Sequence, residues 1–258
     1  MHALHALTSR RRSLALLGGC ALWPAQGLAA DARRYGVISL VGDELVLVYA
    51  ASITGTNLDR NVHRTVADAA GTLDKMALAA AGRALEGRPA GAQAVLLGVP
   101  PSPLHQAPDK LFVGDSITLP GSLVDALEQA QATHVVLLTK HRSPARIALV
   151  DSRIGVGVLR GLGYYIDREI GIRMIESGRS GSGLLAAYVY LRLTLADTRT
   201  GAVLRQRLVT ATRTYPVAAS ETAVDPWQVL TAQQKMDGLR DLLESQLAEE
   251  IPALVAVG

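Results

Sequence analysis

The second half of the chain is dominated by runs of residues that favour β-strands. Five such runs follow one another with short breaks, at 147–151, 154–166, 169–176, 184–197 and 202–214. The breaks at 178–183 and 197–201 carry glycine, serine, threonine and aspartate, which are typical turn residues. Successive strands with short connections pair antiparallel, so this half predicts an antiparallel meander.

The first half alternates between strand-like and helix-like segments. The strand-like segments are 35–49, 92–99 and 133–139, and the first of them predicts a hairpin that turns at 42–44. Residues 64–87 and 119–132 carry apolar side chains at the three-four spacing of an amphipathic helix. The order of these segments predicts a β-α-β-α-β arrangement.

A long helix is predicted at the end of the chain, from Pro226 to about Glu250. Asp225 is a favourable N-cap, Pro226 suits the first helical position, and Pro252 is expected to end the helix. The whole pattern predicts one α/β domain, an α+β sandwich with a mixed sheet, over residues 31–258. With 49% hydrophobic residues the chain can bury a core of that size.

The first 30 residues have the three parts of a secretory signal peptide. Three arginines at 10–12 precede an apolar stretch at 14–23, and small residues follow up to Ala30. The stretch is too short for a membrane-spanning helix, which needs about 20 residues. We therefore predict that residues 1–30 are a cleaved export signal and that the protein is periplasmic. Without these arginines the chain is neutral, so no nucleic-acid partner is predicted.

The only cysteine, Cys20, follows Leu-Gly-Gly in a sequence that resembles a bacterial lipobox. The resemblance implies cleavage before Cys20, a diacylglyceryl group on its sulfur and anchoring in the outer membrane. The alternative is cleavage after Ala29, Ala30 or Ala32, which would release a soluble periplasmic protein. In either case a single cysteine excludes an intrachain disulfide.

Residues 111–118, with Gly114-Asp115-Ser116 at their centre, resemble the first block of the SGNH or GDSL hydrolases. This resemblance implies that Ser116 is a nucleophile at the end of a strand. Such a serine needs a histidine base. However, the Asp-x-x-His of that family is absent, and none of the six histidines follows residue 141. The motif therefore favours a turn, with the hydrolase kept as an alternative.

Two further patterns bear on ligand binding. Lys140, His141, Arg142 and Arg146 form a basic segment that could contact an anion or a phospholipid headgroup, or simply be a solvated loop. Glycines at 157–163 have the spacing of a dinucleotide-binding loop, but they lie in strand-like sequence, which favours close strand packing. No cofactor and no metal site is predicted.

The hairpin at 187–212 carries a further resemblance. Its sequence Tyr188-Val-Tyr-Leu-Arg-Leu-Thr-Leu-Ala-Asp, followed by Thr200-Gly201, resembles envelope lipoproteins of the CsgG, LpoB and TolB N-terminal type. The step from helix to strand at 130–138 is similar to theirs as well. This resemblance implies an α/β periplasmic domain that binds proteins and has no catalytic residues.

The leading hypothesis is an exported cell-envelope protein that acts as a non-catalytic interaction or assembly module. Its predicted partners are other envelope proteins, and a lipid on Cys20 would be its only link to the membrane. The alternatives are a serine hydrolase that uses Ser116 and a periplasmic domain for a small ligand. In the latter case, tyrosines such as Tyr164 and Tyr165 would line the site.

Overall fold

A computed structural model describes residues 33–51, 59–86, 92–149, 152–173, 180–217 and 225–256, and it confirms the predicted mixed α/β fold. The predicted export signal with Cys20 lies outside these residues. The strands are β1 (Arg34–Leu40), β2 (Glu44–Tyr49), β3 (Val62–Ala67), β4 (Gln93–Leu97), β5 (Phe112–Val113), β6 (Ser116–Ile117), β7 (His134–Lys140), β8 (Arg142–Pro144), β9 (Ile147–Ala148), β10 (Arg153–Ile154), β11 (Val158–Arg173), β12 (Ser180–Asp197) and β13 (Val203–Pro216). The helices are α1 (Thr72–Leu85), α2 (Pro103–Gln106), α3 (Gly121–Gln129) and α4 (Ala232–Val255), with short 3₁₀ turns at Pro108–Leu111 and Pro226–Gln228.

The long antiparallel pair of β12 and β13 organises the main sheet. On the other side of β12, two strands lie end to end: β7 pairs with its second half and β11 with its first half. In the next position β1 runs parallel to β7, and β2 runs parallel to β11. Parallel β4 and antiparallel β3 flank β1 and β2, respectively, so the sheet is mixed, as predicted.

The predicted hairpin at 35–49 is wrong. β1 and β2 do not pair with each other, but continue in one direction on either side of a break at 41–43. The N–H groups of Val41 and Gly42 donate to the carboxylate of Asp74, each at 3.1 Å. Because that carboxylate accepts both N–H groups, they are not available to the strand ladder. Turn-forming residues therefore mark a break in a strand here, not a reversal.

The predicted helix at 64–87 begins later than expected. Its first residues form β3, an edge strand, and α1 begins at Thr72. Gly71 adopts a left-handed conformation with φ 62°, which glycine reaches without steric cost. The Asp68 carboxylate accepts from the N–H of Leu73 at 2.6 Å, and so satisfies a free donor of the first turn.

The C-terminal helix is also displaced from its predicted bounds. Asp225 caps only a 3₁₀ turn, and α4 begins after Thr231, where Thr231 and Gln234 form a reciprocal capping box. The helix continues past Pro252 to Val255. Leu254 and Val255 are buried, so core packing offsets the hydrogen bond that proline cannot donate.

Three apolar clusters cover the two faces of the sheet. The largest lies under α1 and α4, and it includes Tyr35, Leu239, Leu243 and Leu247. The opposite face has one cluster beneath α3 and the segment before it, and another that packs tyrosines of β11 and β12 against residues of 145–149 and Ile154. No helix of the described residues is long and apolar enough to cross a bilayer.

The hydroxyl oxygen of Tyr35 is a core atom whose removal is expected not to lower the free energy of unfolding. The hydroxyl of Tyr35 is buried and has no hydrogen-bond partner among the described residues. Because an unpaired buried hydroxyl costs about 1–3 kcal/mol, Tyr35→Phe should leave the free energy of unfolding unchanged or raise it. Tyr164→Phe is the matched control, since the Tyr164 hydroxyl donates to the Lys235 carbonyl. Urea denaturation that finds Tyr35→Phe as harmful as Tyr164→Phe would contradict this assignment.

Candidate functional site

A buried polar cluster lies at the break between β1 and β2. Asp74, in the first turn of α1, accepts hydrogen bonds from the Ser39 hydroxyl at 2.5 Å and from the two backbone N–H groups of the break. The other carboxylate oxygen of Asp74 accepts from Nε2 of His105 at 2.8 Å. One carboxylate thus joins β1, the break, α1 and α2.

His105 belongs to a Ser–His–Asp arrangement that is better explained as structure than as catalysis. Its Nδ1 lies 3.4 Å from the Ser102 hydroxyl, but both residues form the capping box of α2. The His105 side chain is fully buried, so it cannot meet a substrate. The hydrogen bond to Asp74 raises the pKa of His105 against the opposing effect of burial. The arrangement therefore anchors α2 to the sheet.

The structure separates the members of the predicted basic segment. Lys140 is buried at the end of β7, where its ammonium pairs with Asp43 and Glu44. Burial lowers the pKa of the half-buried His141, and Arg142 and Arg146 are exposed. Because Lys140 already has two carboxylate partners, its charge is compensated within the chain. An anion contact by the other residues of this segment stays a prediction.

Ser116 lies on the short strand β6, which pairs with β5 and bridges to Ala202. No hydrogen bond joins its hydroxyl to a histidine within the part of the chain that the structure describes, and His105 is bound to Asp74. Tyr164 and Tyr165, considered above as ligand contacts, are fully buried. Burial raises the pKa of Tyr165 to about 12. Both rings belong to the core.

The most distinctive surface is the outer edge of β13. The Tyr190 carbonyl accepts from His141 N, so the polar backbone groups of Tyr190 point away from β13. Because this direction alternates along an antiparallel strand, the next residue of β12 bonds to Val209, which lies opposite it. Val209 therefore faces β12, whereas Leu208 and Thr210 direct their N–H and C=O groups outward.

This outer edge is covered at both ends and open between them. Val203 N donates to the Asp115 carbonyl at 2.8 Å, and Ala148 N donates to the Thr212 hydroxyl at 3.1 Å. Across 204–210, no backbone partner occupies the outer side among the residues described. We call residues 204–210 the open edge. Such an edge is a template for pairing with another strand.

Two large apolar side chains project from the open edge. Leu204 and Leu208 are 52% and 55% exposed, although they lie within a strand. The opposite face of β13 is covered by α4: Arg205 donates to the carbonyls of Ala253 and Ala256, and Arg207 pairs with Glu250. The open edge therefore presents leucines on one face and arginines on the other.

Strand alternation alone does not predict that these arginines contact α4. The sequence predicts that Arg205 and Arg207 share a face, and it favours solvent for that face. The structure covers the face with α4, because the helix supplies Glu250 and its free C-terminal carbonyls as partners. The local pattern, in which Leu204 and Leu208 alternate with the arginines, favours the reverse arrangement with the leucines buried, so it carries no signal for this contact.

The described residues contain no group of three or more histidine, cysteine, aspartate or glutamate side chains placed to hold a metal ion. Gly161 and Gly163 lie within β11 and not at a turn between a strand and a helix. The dinucleotide spacing of the sequence therefore has no matching loop in the structure.

Comparison with known proteins gives only distant likeness. No protein-family model and no curated protein matches the sequence. Among solved structures, a Helicobacter pylori homolog of the neuraminyllactose-binding hemagglutinin is 8% identical with a TM-score of 0.43, over 85% of this chain and 83% of that one. A DUF330 protein of Xanthomonas campestris is 10% identical with a TM-score of 0.36, over 86% and 84%. PelC of Paraburkholderia phytofirmans, a dodecamer, is 11% identical with a TM-score of 0.31, over 88% and 91%. Likeness at this level does not assign a function.

Proposed function

We propose that this chain is an exported, non-catalytic module of the bacterial cell envelope, whose open edge binds an extended segment of a partner protein. The observation that carries the proposal is the set of outward backbone donors and acceptors within 204–210, a segment that also carries the exposed side chains of Leu204 and Leu208. The hairpin with the resemblance to CsgG, LpoB and TolB-type proteins is the one that provides this edge.

Strand addition fits the open edge because an added strand would use both the outward backbone groups and the exposed leucine side chains. Backbone hydrogen bonds from an added strand supply affinity, and side chains at alternate positions supply specificity. Leu204 and Leu208 lie on one face with Gln206 between them, so they would contact apolar side chains at alternate positions of the partner. The covered ends at Val203 and Thr212 limit the added strand to a short segment.

The interaction is tested by removing one outward N–H group. Thr210→Pro deletes a donor that faces away from β12, so the internal ladder should survive, because edge strands tolerate proline there. Thr210→Ala keeps the N–H and is the matched control. A photo-crosslinking residue at Gln206 should give an adduct in envelope extracts with Thr210→Ala, and this adduct should be lost with Thr210→Pro. An adduct that persists in the proline variant, or its absence from both variants, overturns strand addition.

The exported location is tested by the intact mass of the mature protein from its native envelope. A chain that starts at Cys20 with added acyl mass supports an anchored lipoprotein. A chain that starts near Ala30 without added mass supports a soluble periplasmic protein. A chain that retains residues 1–30 and fractionates with the cytoplasm overturns export.

A further inference from the structure

A second surface feature lies beside the turn that connects β12 to β13. A groove of about 430 Å³ separates α3 from the turn at 198–201. Its floor is apolar and includes Ile117, Val124, Leu127 and Val135. This volume lies within the range of small-molecule sites, which combine apolar walls with a few polar groups.

Two opposite charges line this groove without neutralising each other. Glu128 lies on α3 and Arg199 on the turn, and both side chains belong to exposed residues. In the part of the chain that the structure describes, neither forms an ion pair within 4.0 Å. Glu128 is also unfavourably placed for its own helix, because a carboxylate near a C-terminus opposes the helix dipole. The charge of Arg199 acts on the nearby Asp197 carboxylate without forming an ion pair with it.

The turn that carries Arg199 is firmly held. One oxygen of Asp197 accepts from the N–H groups of Arg199 and Thr200 at 3.0 and 2.8 Å, and from the Thr200 hydroxyl at 2.9 Å. The hydrogen bonds from Thr200 lower the pKa of Asp197, and the N–H bond and positive charge of Arg199 add to this effect. The Thr198 hydroxyl donates to the Ala132 carbonyl at 2.7 Å, which ties the turn to the segment after α3. The backbone of the groove is therefore fixed on both sides.

We infer that the groove binds a small zwitterion with an aliphatic side chain, of the class of free branched-chain amino acids. The Arg199 guanidinium receives the carboxylate through charge-assisted hydrogen bonds. The Glu128 carboxylate receives the ammonium group, and the aliphatic chain lies on the floor beside Val124 and Leu127. A ligand with only one of the two charges would leave the other rim residue without a partner.

Isothermal titration of the mature protein with L-leucine tests this site. Its analogues 4-methylpentanoate, which lacks the ammonium group, and 3-methylbutylamine, which lacks the carboxylate, isolate the two contacts. Leucine should bind more tightly than either analogue. Arg199→Gln and Glu128→Gln should each weaken leucine binding about tenfold or more, because each removes a charge-assisted hydrogen bond to the ligand. Arg142→Gln, at an exposed arginine outside the groove, is the control and should bind as the parent does.

The variants also distinguish this site from the open edge. Arg199→Gln should weaken binding of the carboxylate analogue and spare that of the amine, and Glu128→Gln should do the reverse. Thr210→Pro should leave leucine affinity unchanged, so failure of strand addition would not affect this result. No detectable binding of leucine, or binding that both groove variants retain, overturns the proposal.

Discussion

Replacement of Asp74 by alanine is expected to lower the free energy of unfolding by about 3–5 kcal/mol, as removal of one partner of a buried charged pair does. The substitution leaves the Ser39 hydroxyl, two backbone N–H groups and His105 Nε2 without their common acceptor. Urea denaturation measures the loss. Asp125→Ala is the control, because Asp125 is an exposed aspartate of α3 and should cost little.

The loss should depend on pH when the charge alone is removed. Asp74→Asn keeps one acceptor oxygen but no negative charge. Because the bond to Asp74 raises the pKa of His105 above its ordinary 6.5, the pair contributes stability that is fully present below pH 6.5. That stability is lost as the pH rises through the higher pKa of the folded state. The difference between parent and Asp74→Asn should therefore be larger at pH 5.5 than at pH 9. A difference that does not change with pH would contradict an ionised His105–Asp74 pair.

The same residues show what local sequence can predict. The periodicities of α1, α3 and α4 and the β-rich runs are local, so they predicted the fold class. Asp74 resembles any polar residue of a helix, and His105 lies in a proline-rich segment. Their contact joins positions 31 residues apart. No pattern in either segment indicates the other, because the contact exists only once α2 has packed against the sheet.

Lys140 was misjudged for a related reason. Its neighbours His141, Arg142 and Arg146 give the segment the composition of a solvated loop. The structure instead buries Lys140 against Asp43, the last residue of the break between β1 and β2, and Glu44, the first residue of β2. The sequence predicts a hairpin turn at 42–44 and a basic segment at 140–146, and nothing in either segment indicates that the two are in contact.

Gly163→Ala is expected to destabilise the protein by about 3 kcal/mol or more, at or beyond the usual cost of overpacking a core. Gly163 lies in β11 between Val46 of β2 and Tyr188 of β12. A methyl group there would overlap the Val46 carbonyl oxygen and lie 2.6 Å from the Tyr188 hydroxyl. Neither group can yield easily, because the first belongs to the strand backbone and the second is fully buried.

Gly171→Ala separates this close approach from the general effect of replacing a glycine in a strand. Gly171 lies on the same strand, and an added methyl group would meet nothing within 4 Å. Alanine should be neutral or mildly stabilising there, because it lowers the conformational entropy of the unfolded chain. Thermal or urea denaturation of both variants tests the register of β2 against β11. Equal effects of the two substitutions would mean that β2 does not pass as close to β11 as the pairing of Gly163 with Val46 requires. The assignment of 41–43 as a break between β1 and β2 would then be wrong as well, because it depends on the pairing of β2 with β11.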